Sequence, residues 1–414
     1  MKYAILIFLF SFSSASTALA QQKRFNIDLY YLPYFESTRA ITDFGQSVLD
    51  LEGSLHDGIG DVTGLSSNFL FRAIYGISWL YLPGFQYYLN NSLKLMMHEY
   101  GHGARIAAAG GVPYYSYFGG SGTHFHFLTY YLQGFVSGWN GGYTTSSGTT
   151  FSPSIYPSYW NGVVAMGGVN NSTTFAESMS DHNYYIGGHY SHAFVYINSK
   201  LDAYYYALDT YQNTLGFPSG VVGDMANIEN YYSGQGIGVS LNDIWTGAMN
   251  SVLFSAGTYS YALGTLKYIF GKDPVVRALE LGPIRLPEVS HYLTSQGLSY
   301  RVGSGIHSDQ TYIPFSVEMV YKGRTVYEAA LAVRKYKDNN PKNPRGYYEL
   351  GFVANTLGGI GGHYKKEIDA GPNTLIELGA ILHHYQTLLG ERTTTGINFG
   401  PFGFELIASL AKTY

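Results

Sequence analysis

Five consecutive residues, His98-Glu99-Tyr100-Gly101-His102, set two imidazoles four positions apart with a carboxylate beside the first. On a helix, residues four apart share a face, so both rings can reach one cation. Glu99 lies about 100° further round and can reach a water on that cation rather than the cation itself. The chemistry this suits is hydrolysis. Zinc held by three protein ligands keeps a fourth position for water, lowers its pKa towards roughly 7, and lets a carboxylate base take the proton. His98 and His102 are then metal ligands and Glu99 the base. The same spacing also occurs in helices whose two histidines are only polar core or surface residues.

The stretch around the motif can hold such a helix. From Asn91 to Gly111 there is no proline, and Leu, Met, Ala and Ile predominate. Asn91 or Ser92 can cap its start, and Gly110 or Gly111 can end it in a left-handed conformation. The run HEYGHGARIAAAGGVP resembles the zincin helix in its HExGH form, with the alanines and closing glycine of site-2-type intramembrane metalloproteases. The resemblance implies a zinc metalloendopeptidase with His98 and His102 as ligands and Glu99 as base. The site-2 family takes its third ligand from an Asn-Pro…Leu-Asp-Gly stretch, and this chain has none.

A third ligand must come from elsewhere. From Ile106 to Ala176 the chain has no Asp, Glu, Lys or Arg, so Glu177 is the first acidic residue after Glu99. Asn170, Asn171 or Ser172 can cap a helix that carries it, which is the arrangement of the glutamate zincins. A carboxylate suits the role, because two neutral imidazoles leave the metal's charge undercompensated. Glu177 is the expected ligand, with Asp181, His182 and Asp243 as alternatives, and a glutamate in a capping turn is the plain alternative for Glu177.

The other segments set the frame. Met1 to Ala20 has one lysine, an apolar run and a closing Ala18-Leu19-Ala20, which predicts a secretory signal cleaved before Gln21. Residues 21–65 hold one alternating run, Phe25 to Tyr30, and then a polar, glycine-broken LDLEGSLHDGIGDVTG expected to be a loop. Asn68 to Tyr88 is expected to be a buried scaffold helix packed behind the motif helix and interrupted at Pro83. The uncharged tract is rich in Tyr, Phe, Ser and Gly, unlike an ordinary disordered segment, and is expected to cover the site or lie near lipid. Within it His124 and His126 alternate like strand neighbours. Helices are expected from about His192 to Gln212 and, as a buried helix, over 240–270, with His189 and His192 as core or surface histidines.

After Asp273-Pro274 the pattern changes to alternation. Phe315, Val317, Met319 and Tyr321 face one way, and so do Tyr327, Leu331 and Val333, then Leu350 and Phe352, then Phe404, Leu406 and Leu410. The opposite positions carry Glu318, Glu328, Arg334, Glu349, Glu377 and Glu405. With runs near 283–293, 297–308, 359–368 and 373–386 this gives about eight strands of about ten residues, the length that crosses a bilayer when tilted. A soluble sandwich has the same periodicity. The chain has no cysteine, charged residues are 13 %, and it holds 41 Tyr and 24 Phe. A terminal strand ending on Tyr414 resembles the insertion signal of bacterial outer-membrane barrels.

The expected fold is α+β: signal peptide 1–20, strand and loop 21–65, a helical zincin-like region 66–272, then a C-terminal antiparallel β-barrel of about eight strands over 273–414. The expected function is zinc-dependent peptide hydrolysis in the cell envelope, in the outer membrane of a Gram-negative bacterium or else the periplasm. Its partners are a peptide or protein substrate and membrane lipid. A net charge of −4 gives nucleic acid no electrostatic support. A non-catalytic outer-membrane structural or binding protein is the alternative. An inner-membrane site-2-type protease is a further one, although a mean hydropathy of −0.05 lacks the polytopic spans it needs.

Overall fold

The computed structural model describes residues 24–28, 38–81, 85–108, 111–117, 120–122, 127–137, 142–146, 160–214, 223–271, 273–337, 346–371, 373–384, 387–389, 397–399 and 402–413. The chain is α+β. Ten described helices lie between Thr38 and Gly271, and a large antiparallel sheet follows them. The helices are α1 (Thr38–Thr63), α2 (Phe69–Tyr81), α3 (Phe85–Ala108), α4 (Phe127–Ser137), α5 (Trp160–Tyr185), α6 (Ala193–Lys200), α7 (Asp202–Thr214), α8 (Asp224–Gly234), α9 (Leu241–Leu253) and α10 (Ala256–Gly271). Among the described residues no helix is long and apolar enough to cross a membrane. The expected signal peptide, His124, His126 and Tyr414 lie outside the described residues.

α1 overturns the expected loop. Its glycines, which read as breakers, form one close-packing face, since Gly45, Gly53 and Gly60 recur seven or eight apart. A Cβ on Gly45 would stand 2.3 Å from Met97 Cε, and one on Gly53 would stand 3.0 Å from the ring of His189. Tertiary contact outweighs the helix cost of about 1 kcal/mol per glycine. The motif helix also begins earlier than its capping residues suggest. It starts at Phe85, leaving Asn91 and Ser92 inside, and Gly111 N–H closes its end on Ile106 O at 2.9 Å. Likewise α5 begins at Trp160 rather than at Asn170, so the glycine pair Gly167-Gly168 lies mid-helix.

The strands are β1 (Arg24–Asp28), β2 (Pro113–Tyr117), β3 (Gly120–Gly122), β4 (Gly142–Ser146), β5 (Gly188–His189), β6 (Val275–Val276), β7 (Glu280–Leu281), β8 (Ile284–Thr294), β9 (Gly297–Ser308), β10 (Thr311–Gly323), β11 (Tyr327–Tyr336), β12 (Tyr347–Asn355), β13 (Ile360–Gly371), β14 (Thr374–His384), β15 (Ile397–Phe399) and β16 (Phe402–Thr413). The large sheet runs β1-β16-β14-β13-β12-β11-β10-β9-β8-β7, with β15 paired to β16; β3-β2-β4 and β5-β6 form two small sheets. All eight strands expected after Asp273 are present, as β8 to β14 and β16.

The faces of the large sheet divide as the alternation requires. One face buries Glu318, Glu328, Glu349, Glu367, Glu377 and Glu405, and the other exposes Val317, Leu331, Leu350, Phe352, Leu378 and Leu406. The helices pack on the charged face. Glu177 and Asp181 of α5 pair with Arg301 and Arg285, and Arg39 of α1 pairs with Glu377. Arg334 lies between the rings of Tyr185 and Tyr347, 4.3 Å from each, and donates to Glu349 at 2.7 Å. Asn170 of α5 bonds both backbone groups of Leu293, at 2.7 and 3.0 Å, and so continues the ladder where β8 meets the helices. A single helix, α5, therefore runs from the motif helix to the sheet.

Two expectations of burial in the helical half fail: α2, in the segment expected to be a buried scaffold helix, exposes Leu70, Phe71, Ile74 and Ile77. The 240–270 segment is two helices, and α10 exposes Tyr259, Leu263, Leu266 and Phe270 instead of being buried. Phe270 stacks on Phe69 of α2 at 5.3 Å, beside the exposed Leu70, Phe71, Ile74 and Ile77.

Candidate metal centre

α3 presents His98 and His102 from one face, as their spacing requires, with the two Nε2 atoms 3.0 Å apart. Asp224, the first residue of α8, completes the group: its Oδ2 lies 3.1 Å from His98 Nε2 and 3.2 Å from His102 Nε2. Both histidines are buried. Gly223, with φ 152°, opens α8 in a conformation that favours glycine.

The other ring nitrogens fix what these three atoms are. His98 Nδ1 donates to Asp202 Oδ2 at 2.8 Å, and His102 Nδ1 donates to the Val164 carbonyl at 2.8 Å. Neither acceptor carries a hydrogen, so both Nδ1 atoms must hold protons. In the neutral rings both Nε2 lone pairs then converge on each other and on the Asp224 carboxylate. Three electron-rich atoms this close require a cation or extra protons between them. Ligand atoms placed tetrahedrally about 2.0–2.1 Å from zinc stand about 3.3–3.4 Å apart. The spacings of 3.0–3.2 Å here are close to that edge.

Helix packing leaves room for the group. α3 and α5 cross through Gly101 and Gly167, where a Cβ on Gly101 would stand 2.2 Å from Gly167 O. The next glycine on α5, Gly168, lies under the two rings: its Cβ would fall 2.6 Å from His98 Nε2 and 2.7 Å from His102 Nε2. Asn171 ties the same helix to Met97 O at 2.5 Å.

Outer groups hold His98 in place. Asp202, fully buried at the start of α7, accepts hydrogen bonds from His98 Nδ1–H and from Ser172 Oγ, each at 2.8 Å, and pairs with the Lys94 ammonium at 2.9 Å. Tyr206, one turn further along α7, stacks on the His98 ring at 4.4 Å. This is the carboxylate–histidine arrangement that orients metal ligands and fixes their tautomer.

Electrostatics follow from the geometry. Burial opposes charge on His98, but the Asp202 carboxylate, then Asp224, outweigh it and hold its pKa up to about 10 in the metal-free protein. Burial opposes charge on His102 as well, and Asp224 still leaves it raised. Against burial, Lys94 and His98 keep Asp202 well below the usual carboxylate range, and His102 and His98 do the same for Asp224. The site thus favours positive charge at its centre.

Glu99 is buried and close enough to His102 for its charge to favour the imidazolium. Glu177, expected as the third ligand, is not in the group; its partner is Arg301. The reason is helical phase. Glu177 lies nine residues beyond Gly168, half a turn round α5 and about 13–14 Å along it, on the side that meets the sheet. The alternatives also have other partners: Asp181 pairs with Arg285, His182 lies 3.4 Å from Asp50, and Asp243 forms the capping box of α9 with Ser240. Asp224 is 126 residues downstream of His98, and its only sequence signal is a glycine–aspartate step opening a short helix.

Arg105 extends the same α3 stripe seven residues past His98. It is buried, its stem borders Gly167, and its Nη1 has no hydrogen-bond partner among the described residues. Of the expected members, the site therefore unites His98 and His102 near Glu99, replaces Glu177 by Asp224, and adds Asp202 and Arg105. No protein-family model, curated protein or solved structure matches the chain.

Proposed function

We propose that this protein is a zinc-dependent peptide hydrolase of the cell envelope, with His98, His102 and Asp224 as ligands and Glu99 as base. The observation that supports it best is the convergence of two Nε2 lone pairs and one carboxylate over Gly168, with both Nδ1 protons committed elsewhere. Bound there, zinc would supply a Lewis acid that polarises a scissile carbonyl and lowers the pKa of water. Glu99 would take the proton of the attacking water and return it to the leaving amine. Arg105 would offer a guanidinium to negative charge on the substrate, because a buried cation left unpaired is costly. Asp202 would keep the His98 ring in the tautomer that leaves Nε2 free.

The proposed seat is an outer membrane. In a soluble β domain the apolar face is covered and the charged face meets water. Here helices cover the charged face, while Val317, Leu331, Phe352 and Leu406 are 53 %, 52 %, 65 % and 59 % exposed. A bare apolar face repeated over eight strands exceeds what soluble monomers leave open. Strands of 9 to 13 residues suit the apolar band of about 25 Å of an outer-membrane barrel. In that arrangement α1 and α5 fill the polar lumen.

The test separates base from ligands. Protein purified without chelators should carry zinc that His102→Ala loses, and Glu99→Gln should keep the metal and lose hydrolysis of a casein or peptide-library substrate. Hydrolysis undiminished in Glu99→Gln, or wild-type protein that takes up no metal at this site, would remove the assignment.

A further inference from the structure

A second group of metal-binding side chains lies away from this centre. His56 and Asp57 on α1 meet His189 on β5, with His56 Nδ1 and His189 Nε2 at 3.2 and 3.1 Å from Asp57 Oδ1. Both histidines are buried, and Asp57 is one-third exposed, which gives an ion a way in. We propose that His56, Asp57 and His189 form a second divalent-cation site.

Three features support a built site. The far nitrogens have hydroxyl partners that can take their protons: Tyr190 Oη lies 2.6 Å from His56 Nε2, and Ser191 Oγ lies 2.7 Å from His189 Nδ1. With Tyr190 Oη accepting from its Nε2, His56 would turn the Nδ1 lone pair towards Asp57, as outer groups do in metal centres. The Ser191 N–H donates to His189 Nδ1 at 3.2 Å, so in the metal-free protein Nε2 carries the proton that meets Asp57; an ion would displace it to Nδ1, where Ser191 Oγ accepts it. Second, Gly53 lies one turn before Asp57 on α1, where a Cβ would press on the His189 ring at 3.0 Å. A glycine thus admits a histidine against a helix, as Gly168 does at the first centre. Third, Tyr75 stacks on His56 at 4.6 Å and donates to its carbonyl at 2.8 Å, with Trp79 edge-on at 4.8 Å. These contacts fix the ring in one orientation.

Two imidazoles and one carboxylate, in a chain without cysteine, suit a borderline divalent ion such as zinc, cobalt or nickel over calcium or magnesium. Its ligands are separated by 132 residues of sequence, so the ion would clamp α1 to the β5–β6 pair. The site does not depend on the hydrolase assignment.

Titration of the chelated, purified full-length protein with Zn2+, and separately Co2+, tests this by calorimetry and by metal analysis after gel filtration. Wild type should bind two equivalents. Asp57→Asn, a conservative change at a partly exposed position, should lose one equivalent and retain the other; His189→Gln should do the same. His98→Gln should lose the other equivalent and keep the Asp57-dependent one. If the first centre holds no metal, wild type should still bind one equivalent that Asp57→Asn removes. Unchanged stoichiometry in a folded Asp57→Asn protein would overturn the proposal and leave Asp57 as a hydrogen-bond acceptor for two histidines.

Discussion

Gly168 lies so close under His98 that its missing side chain defines the site: a Cβ there would stand 2.6 Å from His98 Nε2. Elsewhere in a helix interior, replacing glycine by alanine is stabilising by about 1 kcal/mol. At Gly168 the methyl would occupy the space in which the ligand atoms converge. Gly168→Ala should therefore lose the metal that His98 holds while the chelated protein keeps its helical circular dichroism and melting temperature within a few degrees. Metal analysis of the variant checks it, and full occupancy would mean that the ion sits elsewhere.

The third ligand separates two carboxylates on different helices. Asp224→Asn should abolish metal retention at His98 and His102, because two imidazoles alone hold zinc weakly. Glu177→Gln should leave retention unchanged and instead weaken the contact of α5 with Arg301. That loss should cost about 1–3 kcal/mol, the range for an ion left part-buried without its partner. Calorimetric metal binding and melting temperature, measured on both variants, should move in opposite pairs.

Asp202→Asn tests the outer group. The amide oxygen still accepts from Nδ1–H but without the carboxylate's charge, and the change leaves Lys94 without its ion pair. Affinity for zinc should fall about 10–100-fold, with the stoichiometry unchanged at saturating metal. An unaltered dissociation constant would reduce Asp202 to a partner of Lys94.

The raised pKa of His98 fixes the sign of a pH effect. Its folded value of about 10 lies above the usual 6.5, so its contribution to stability is present in full below about pH 6.5 and is lost as pH rises towards 10. The chelated protein should lose melting temperature over that window. Zinc-loaded protein should not, because the metal takes the place of the proton on Nε2 and its affinity rises with pH across the same range. Paired melts with chelator and with zinc, repeated on His98→Gln, isolate the effect.

The local elements of this molecule were legible to the extent that one segment's own residues determine them. Eight strands followed from alternation, since a period of two survives any tertiary arrangement. His98 and His102 followed from a spacing of four within one helix. What depends on meeting another segment was not legible. The polar, glycine-rich LEGSLHDGIGD reads as a loop until His189 and Tyr75 are known to press on Gly53 and Gly60. His56 and Asp57 were hidden with it, as was the role of His189. Glu177 is the first acid after Glu99 in sequence, but the phase of α5 turns it to Arg301. Asp224 is brought in by packing of α8 on α5, for which local sequence holds no sign.

The exposed face of the large sheet gives the last prediction. Leu350 lies mid-strand on β12, opposite Val333 of β11 and Tyr364 of β13, and all three side chains are exposed. If that face meets lipid near the bilayer midplane, Leu350→Arg should destabilise the protein folded into vesicles by about 2–4 kcal/mol. If it meets water, the same exposed substitution should fall within about 0.5 kcal/mol of wild type. Leu406→Arg on β16 should behave alike, while neither variant should alter zinc bound by His98 in protein that does fold. Denaturant unfolding in vesicles and in detergent-free buffer distinguishes the two. A soluble, monomeric chain whose stability ignores both arginines would show that the face is a water-exposed surface and remove the proposed seat in the outer membrane.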